Sequence, residues 1–421
     1  MSSITLSGRR KLSPGEIELI VSGHEKFIAG RPGGKRAILK FVDLSGADLA
    51  GRNLSDADVS ASIFDGARMA GINLERAVLF GCDLRKADLR GARLVRADLR
   101  GACLRGANLS QADLTQADFR VGHVAIPHPS KGLASVVHQT REGQLDNAIF
   151  AGATLDGSQL NDASVFASDF TDCSLKGAKM SGANLKDANL SGAMLDGADV
   201  ANTNFEGANL SFVTMTGVDV AQARTYGANM SGAMSAPSDV VVERAEELFA
   251  RAQANHLWCQ TGGREGRPAV FDKEDLRPLA NRLRGLRLSA MSAKGAIMVG
   301  LDLTGAHLQG AQMDGADLRG VRLRDADARG ARMADANLTK ADLRGAVFAP
   351  LPLSATRHTA ASFERAHVRY VSAQGADMVG VILDGADLRG CDFTGARLSG
   401  ASVRDVQLHA TLGFDLARAA A

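Results

Sequence analysis

The sequence predicts an all-β solenoid, and three observations support this prediction. A large apolar residue recurs at every fifth position, beginning at Leu39 and continuing through Leu44 to Phe119. Alanine lies two positions before it in most repeats, and Asp or Asn often lies one position before it. A period of five fits neither the 3.6-residue period of a helix nor the two-residue period of a strand, so it indicates a coil built from short repeats.

A square coil with one five-residue repeat on each side satisfies this period. Each side directs the large residue and the alanine inward and three residues outward, and its corner favours Gly, Asn or Asp, which tolerate unusual backbone angles. Four sides make one coil, so residues twenty apart stack about 4.8 Å apart like parallel strands. The predicted core includes Leu44, Leu84, Phe119, Phe150, Leu185, Leu318 and Leu388.

The repeats GADLAGRNL, KADLRGARL, GANLSQADL and GADLRGCDF resemble the pentapeptide-repeat proteins, whose consensus is A(D/N)LXX. The resemblance covers roughly residues 37–412, apart from two interruptions. It implies a right-handed quadrilateral β-helix with short helical caps, interrupted into two or three arrays. The quinolone-resistance members of this family resemble a DNA rod and bind DNA gyrase, which implies one candidate function.

The first third of the chain is predicted to be a cap followed by an array. Residues 1–38 form an N-terminal helical cap, in which Ser13 precedes Pro14 and Glu16 lies three residues after Ser13, as in a capping box. Residues 39–122 form the first array. Arg52 occupies one of its small inward positions, and we expect its guanidinium to reach toward the open N-terminal end of the solenoid.

The repeat then loses its phase. Residues 123–147 are predicted to be an insertion loop, since Pro127 and Pro129 fit a projecting segment. The next clear large residue is Phe150, and residues 148–235 are predicted to form the second array.

A second interruption contains a hidden duplication. Residues 24–44 align without gaps to residues 256–276, so that His24 matches His256 and Ala37 matches Ala269. Residues 236–268 are therefore predicted to be a helical linker and a second cap, followed by a third array over 269–412 and a tail over 413–421. The stretch 349–363 is interpreted as a distorted coil, because Leu353, His358 and Phe363 keep the five-residue spacing.

Charge is unevenly distributed although the net charge is only +2. Residues 1–122 carry 19 basic and 14 acidic residues, whereas residues 123–235 carry 6 basic and 11 acidic residues. The N-terminus lacks an apolar core of signal-peptide length and no stretch reaches membrane-spanning length, so we expect a cytoplasmic protein. The five cysteines show neither zinc-ligand spacing nor a disulfide framework.

The sequence does not predict an enzyme, a metal site or a cofactor. It contains no G-x-S-x-G, H-E-x-x-H or C-x-x-C motif, and Gly30–Lys35 departs from a phosphate-binding loop in spacing and in the residue that follows. Most of the many Asp residues lie just before the large residue, where Asn substitutes for them freely. This alternation favours a corner or surface role over acid–base chemistry.

Two groups of residues are candidates for contact with a partner. One is the insertion, with His123, His128, Lys131 and His138. The other is a set of arginines that follow the large residue, among which Arg85 would stack on Arg105 and Arg100 on Arg120. Such ladders attract phosphates or an acidic protein. The alternative is that each arginine pairs with an Asp of a neighbouring position as ordinary solvated surface.

These observations favour a non-enzymatic scaffold that binds a protein partner. The alternative is a DNA-mimicking modulator of gyrase or topoisomerase, acting through the acidic second array and the insertion loop. Gyrase is not the favoured partner, because the chain is near neutral and its first array is basic. Nucleic acid is an unlikely ligand, since stacking aromatic residues are scarce near the arginines. Self-association stays open at this stage.

Overall fold

The computed structural model describes residues 9–128 and 132–416. The chain divides between Ala236 and Pro237 into two compact units, each with its own apolar core. Both units are right-handed quadrilateral β-helices. The fold class predicted from the five-residue period is therefore confirmed.

Each coil pairs with the next through parallel bridges between residues twenty positions apart. One column in the first unit runs from Ile38 to Asp58, Val78, Asp98 and Asp118. The N–H and the carbonyl of a bridging residue such as Asp58 both form hydrogen bonds with the same neighbouring coil. The N–H of Asp58 donates to the carbonyl of Ala37 at 3.2 Å, and the carbonyl of Asp58 accepts from the N–H of Leu39 at 2.7 Å. These bonds tie the coils together without long strands.

The large apolar residues and the alanines fill the inside of the tube. The seven residues chosen for the predicted core, Leu44, Leu84, Phe119, Phe150, Leu185, Leu318 and Leu388, have exposed fractions of 0–1%. Among the predicted core residues, Phe150 stacks on Phe170, with ring centroids 4.6 Å apart. The small inward position is equally dry, as Ala97 and Ala193 illustrate at 1% and 0% exposure.

The corner residue is the second one after each large residue, and its φ is positive. Glycine supplies this conformation at many corners, for example Gly46 at 68°. Non-glycine residues also occupy it, such as Asp56 at 59° and Arg76 at 55°. A left-handed backbone costs a non-glycine residue roughly 1–2 kcal/mol, which the surrounding ladder of hydrogen bonds must offset.

Several polar residues in the small inward position make a hydrogen bond in the same way. The hydroxyl groups of Ser62 and Thr203 donate to the carbonyls of Leu39 and Met180, each 23 residues earlier, at 2.5 and 2.8 Å. The Cys82 thiol donates to the carbonyl of Val59 at 3.1 Å. These small polar side chains therefore enter the core with their hydrogen bonds made.

The first unit begins with strand β1 (Arg10–Lys11), helix α1 (Pro14–Ile28) and strand β2 (Val42–Asp43). Strand β1 lies parallel to β2 as an extra rung above the first coil. The predicted capping box at the start of α1 is confirmed, because the Ser13 hydroxyl accepts from the N–H of Glu16 while the Glu16 carboxylate accepts from the N–H of Ser13.

The insertion is a hairpin rather than a loop. Strands β3 (Gly122–His128) and β4 (Gly132–Arg141) pair antiparallel. Coil pairing resumes at Gln144, which bridges Cys103, and Leu145 is fully buried. The structure thus places the return to the coil four residues before the predicted start at 148. The arrays on either side of the hairpin form one solenoid, since Asp118 bridges Gln159.

The second unit begins with helices α2 (Asp239–Glu243) and α3 (Ala245–Gln260) and has a short 3₁₀ helix at Arg277–Leu279. Its last strands, β5 (Leu351–Pro352) and β6 (His358–Thr359), form a small antiparallel hairpin. The interpretation of 349–363 as a distorted coil is therefore wrong. Arg332 bridges Ser362, thirty residues on, and Leu353 is 56% exposed. The excursion adds ten residues, which is a multiple of five, so the five-residue spacing continues through it although the chain leaves the coil.

The gapless match between His24 and His256 is also wrong by one residue. The His24 ring accepts the N–H of Ala37 at 3.0 Å and donates to the carbonyl of Ser55 at 2.8 Å. In the second unit Asn255 does both, accepting the N–H of Ala269 at 2.9 Å and donating to the carbonyl of Ser289 at 3.1 Å. One extra residue in the second cap loop shifts the equivalence, which the sequence does not indicate.

The residue after each of these makes a second equivalent contact. The N–H of Asn53 donates to the Glu25 carboxylate at 3.1 Å, and the N–H of Arg287 donates to His256 Nδ1 at 3.0 Å. Arg52 leaves the interior, as expected, and binds Glu18 and Glu25 of α1 at 2.6 and 2.9 Å. The helix is thereby anchored over the first coil.

Candidate partner-binding site

The hairpin β3–β4 is the main departure from regular coils in the first unit. Its strands pair from Gly122 opposite Arg141 to Pro127 opposite Val136, and the register shifts between Pro127 and His128. Its root lies against the first array, since a Cβ on Gly122 would meet the backbone of Arg100 and the ring of Phe80 at 3.0 Å. A side chain at position 122 would therefore have to displace Arg100 or Phe80 where the ribbon leaves the coil.

The four predicted contact residues of the insertion differ in how far the structure describes them. His123 is exposed at the start of β3, and its Nδ1 lies 3.0 Å from the Thr140 hydroxyl across the ribbon. In the backbone register His138 lies opposite Ala125 and His128 opposite Gly132. Lys131 and the side chains of His128 and His138 lie outside the described residues.

The predicted arginine ladders exist in position, but each arginine is held by a carboxylate. Arg85, Arg100 and Arg120 each bind the Asp two residues earlier, with Nη2–Oδ2 distances of 2.6, 2.8 and 2.8 Å. In each pair the Asp Oδ1 also accepts the arginine Nε. The alternative of paired, solvated surface therefore describes these guanidinium groups.

Arg105 is the exception among the four, because Cys103 stands where the others have Asp. Its Nε lies 3.2 Å from Asp146 Oδ2, across the hairpin insertion in sequence. In the second unit Arg319, Arg329 and Arg344 also bind the Asp two residues earlier, with Nη2–Oδ2 distances of 2.7, 2.7 and 2.8 Å. The tripeptide Asp–X–Arg, in which X is the inward residue, is the sequence signal that would have predicted these ion pairs.

These pairs shift the pKa values of several arginines. The hydrogen bonds that Arg85 donates to Asp83 raise the pKa of Arg85, and those donated to Asp98 and Asp118 raise the pKa values of Arg100 and Arg120. Hydrogen bonds from the Arg90 guanidinium lower the pKa of Asp88. Exposed pairs of this kind contribute only about 0–1 kcal/mol each, so they define the surface more than they hold the fold.

A cleft of about 330 Å³ opens at the root of the hairpin. It is lined by Arg100, Arg120, Val121, Asn161 and Asp162. The Arg100 guanidinium lies 5.6 Å from the centroid of the Phe80 ring. Sequence reasoning found the two arginines but missed Asn161 and Asp162, because the hairpin interrupts the twenty-residue spacing that brings them beside Arg120.

The Asp and Asn residues before the large residue share one structural task. The Oδ1 of Asp43 accepts the N–H of Ser45 at 2.8 Å, and the Oδ1 of Asn53 accepts the N–H of Ser55 at 3.0 Å. An amide oxygen serves as well as a carboxylate oxygen for this bond. Their free alternation in sequence follows from this equivalence.

The buried cysteines are not arranged as nucleophiles. Burial raises the pKa of Cys82 and Cys391 to about 12. Within residues 9–128 and 132–416, no group of three or more His, Cys, Asp or Glu side chains is placed to hold a metal. A search of the same residues finds no helix with the length and apolar character needed to span a membrane.

Solved structures of pentapeptide repeat proteins are among those that this chain is similar to. One of them is HetL of the cyanobacterium Nostoc sp. strain PCC 7120, a pentapeptide repeat protein involved in heterocyst differentiation regulation. The alignment with HetL includes 79% of this chain and 95% of HetL, with 22% identity and a TM-score of 0.25. QnrB1, a plasmid-mediated fluoroquinolone resistance protein, aligns over 53% of this chain and 88% of its own, with 18% identity and a TM-score of 0.26.

A pentapeptide repeat protein of the Arabidopsis thaliana thylakoid lumen aligns at 30% identity over 28% of this chain and 66% of its own, with a TM-score of 0.13. No curated protein matches the sequence. The family model for pentapeptide repeats matches eight copies, over residues 43–81, 82–120, 168–207, 282–320, 316–348 and 359–408. These segments cover more than half of the chain, which therefore belongs to the pentapeptide repeat family.

Proposed function

We propose that this chain is a non-enzymatic, cytoplasmic protein-interaction scaffold whose hairpin β3–β4 docks a protein partner. The observation that carries the proposal is the way the hairpin is inserted. Coil pairing runs from Cys103 to Gln144 and from Asp118 to Gln159 on either side of it, so the solenoid closes without it. The hairpin is therefore not part of the coil-to-coil pairing, and the sequence has no acidic residue from 119 to 141. These two properties make it a candidate for recognition of a partner.

The charge of the hairpin supports a protein partner with acidic side chains. Lys131 and Arg141 supply two cations in the sequence of this stretch, and His123 is exposed at the start of β3. The paired arginines of the coils, Arg85, Arg100 and Arg105, would orient such a partner rather than bind it strongly, since their charges are already matched.

The test is affinity capture from native cytoplasm with the full chain and with a variant lacking residues 121–141. This deletion restores the twenty-residue spacing between Cys103 and Gln144. A matched control lacks residues 350–359, which restores the same spacing between Arg332 and Ser362 in the second unit. We expect a protein captured in low and high salt by the full chain and the control only. Capture by all three chains, or of nucleic acid alone and only in low salt, would contradict the proposal.

A second candidate function is modulation of DNA gyrase by the acidic part of the first unit. One observation favours it. In the described structure between residues 147 and 235, one ion pair is found, between Lys186 and Glu206 at 3.8 Å, whereas in the first array Arg85, Arg100 and Arg120 are each paired with an Asp. The carboxylates of this array are therefore more available to a basic partner. Inhibition of gyrase supercoiling by the full chain, lost on deletion of 121–141, would favour this candidate over the scaffold.

A further inference from the structure

The first coil of the first unit has one side whose backbone is open toward the N-terminal end. From Asp58 to Asp199 the bridging residues of this column bond to the coil above, as Asp58 does through both its N–H and its carbonyl. Ile38 holds the same position in the first coil and bridges Asp58 below it. The N–H and carbonyl of Ile38 therefore point away from the second coil. In the described part of the chain, neither group has a hydrogen-bond partner.

The other sides of this coil are closed or unsuited to the same role. Strand β1 covers the next side, where the N–H of Leu12 donates to the carbonyl of Asp43 at 3.2 Å. Helix α1 covers the fourth side through Glu25, which accepts the N–H of Asn53. The third side presents the exposed carboxylate of Asp48. The contact of β1 demonstrates that this end of the solenoid accepts an extended segment as an extra rung.

The open side combines an apolar side chain with a basic rim. Ile38 is 67% exposed although it is surrounded by a well-packed coil. The chain carries five cations and no acidic residue between Glu25 and Asp43, and three of them, Lys35, Arg36 and Lys40, are exposed beside Ile38. The Arg36 guanidinium donates to the carbonyl of Asp56 at 2.7 Å, and Lys40 Nζ lies 2.7 Å from Asp58 Oδ2, so Lys35 and Arg36 supply most of the positive charge of this rim.

The second unit has the same position, but there a side chain of the chain itself already bonds to one of the two backbone groups. Val270 matches Ile38 and is 58% exposed, yet its carbonyl accepts from Arg251 Nη1 at 3.3 Å. Its rim is also mixed in charge, since Glu265 lies between Arg264 and Arg267. Val270 is therefore a built-in control for Ile38.

We propose that the open side Ala37–Phe41 binds an extended acidic segment of a partner protein, which adds to the coil as a rung above Ile38. Backbone hydrogen bonds to the N–H and carbonyl of Ile38 would supply affinity, in the manner of strand addition to a sheet edge. An apolar residue of the segment would cover the Ile38 side chain. Carboxylates beside it would face Lys35, Arg36 and Lys40, which gives the preference for an acidic segment.

This surface is independent of the hairpin. Its residues belong to the first coil and the α1 cap, whereas the proposed scaffold site lies at residues 122–141. Deletion of 121–141 should leave binding at Ile38 unchanged. Failure of one proposal is thus distinguishable from failure of the other.

The experiment is selection of twelve-residue peptides from a random phage-displayed library on the full chain, followed by fluorescence anisotropy with labelled synthetic peptides. Ile38→Pro removes the open N–H, and this N–H makes no bond to the second coil. We expect acidic peptides with apolar residues, at least tenfold weaker binding to Ile38→Pro and to Lys35→Glu, and unchanged binding to Val270→Pro. The Ile38 amide should exchange its hydrogen at least tenfold more slowly in the complex.

Circular dichroism must show that the variants fold. If Ile38→Pro does not, Ile38→Asp keeps the N–H but adds a repelling charge, and it should weaken binding to the same extent. The proposal is overturned if the selected peptides bind Ile38→Pro as well as the original chain, or if no peptide reaches a Kd below about 1 mM. It is also overturned if binding appears only after residues 1–8 are deleted, because the chain's own N-terminal segment would then be the occupant.

Discussion

Replacing His24 by alanine should destabilise the first unit alone. His24 belongs to α1, and its imidazole is fully buried and makes two hydrogen bonds, accepting from the N–H of Ala37 and donating to the carbonyl of Ser55. The alanine side chain can make neither bond. Because the helix and the coil close over this site, water is a poor substitute.

The expected loss follows from the two groups left behind. A buried donor or acceptor without a partner costs roughly 1–3 kcal/mol. The N–H of Ala37 and the carbonyl of Ser55 together therefore predict a decrease of about 2–6 kcal/mol in the free energy of unfolding of the first unit. His24→Asn should lose less than His24→Ala, since Asn255 performs the same two tasks in the second unit.

The chain offers separate optical signals for the two units. Its single tryptophan, Trp258, lies in α3 of the second unit, whereas far-ultraviolet circular dichroism follows both units. In urea, His24→Ala should bring forward part of the circular dichroism transition and leave the Trp258 fluorescence transition where it was. Asn255→Ala should do the reverse and shift the Trp258 transition.

Two results would refute this reasoning. One is a His24→Ala chain whose circular dichroism transition moves by less than about 0.5 kcal/mol, because two unpaired buried groups cannot cost so little. The other is an equal shift of the Trp258 transition in His24→Ala, which would mean that the cap of the first unit does not act locally.

Three further predictions concern the first unit. Ala97→Trp should lower the Tm of this unit, because overfilling a close-packed core costs about 1–3 kcal/mol or more. Arg100→Ala should leave the Tm nearly unchanged. If a thermal scan gives Ala97→Trp the same Tm as the original chain, the inward position of Ala97 is wrong. Arg52→Gln should reduce the loss of stability at acid pH, because the hydrogen bonds that Arg52 donates lower the pKa values of Glu18 and Glu25 in the folded chain. The stabilisation from these pairs is present above the unfolded pKa of about 4.3 and is lost as the pH falls below it. A pH dependence of the urea midpoint between pH 3 and 6 that is the same with and without the substitution would argue against the anchor. Deletion of 121–141 should leave the circular dichroism spectrum of a folded β-helix, and an unfolded chain would show that the hairpin is needed for folding.

The regular part of the structure could be predicted from the sequence because each repeat solves the same local problem. Leu84 and Ala97 are buried for the same reason as every residue at their position, and the period alone identifies them. The capping box at Ser13 is equally local, since its two bonds span three residues.

The remainder depends on contacts that no period records. Leu353 keeps the five-residue spacing and yet is exposed, because an excursion of ten residues preserves phase without preserving a coil. Asn255 replaces His24 because one residue was added in a loop, and only the backbone groups that both side chains serve reveal it. Predicting the ion pairs of Arg85 and Arg120 requires knowing how Asp83 and Asp118 are oriented. In each Asp, Oδ1 accepts a backbone N–H of the turn and Oδ2 faces the guanidinium.

The turn formed by the Asp or Asn before each large residue has a consequence for how these surfaces diversify. Its acceptor is one oxygen, which aspartate and asparagine supply equally, as Asp43 and Asn53 do on opposite sides of the first coil. A single exchange between the two therefore alters the local charge by one unit while the turn is retained. Over many coils, such exchanges can drive one array basic and the next acidic without passing through an unstable intermediate. The electrostatic character of the surface is in this sense free to follow the partner, while the interior keeps the fold.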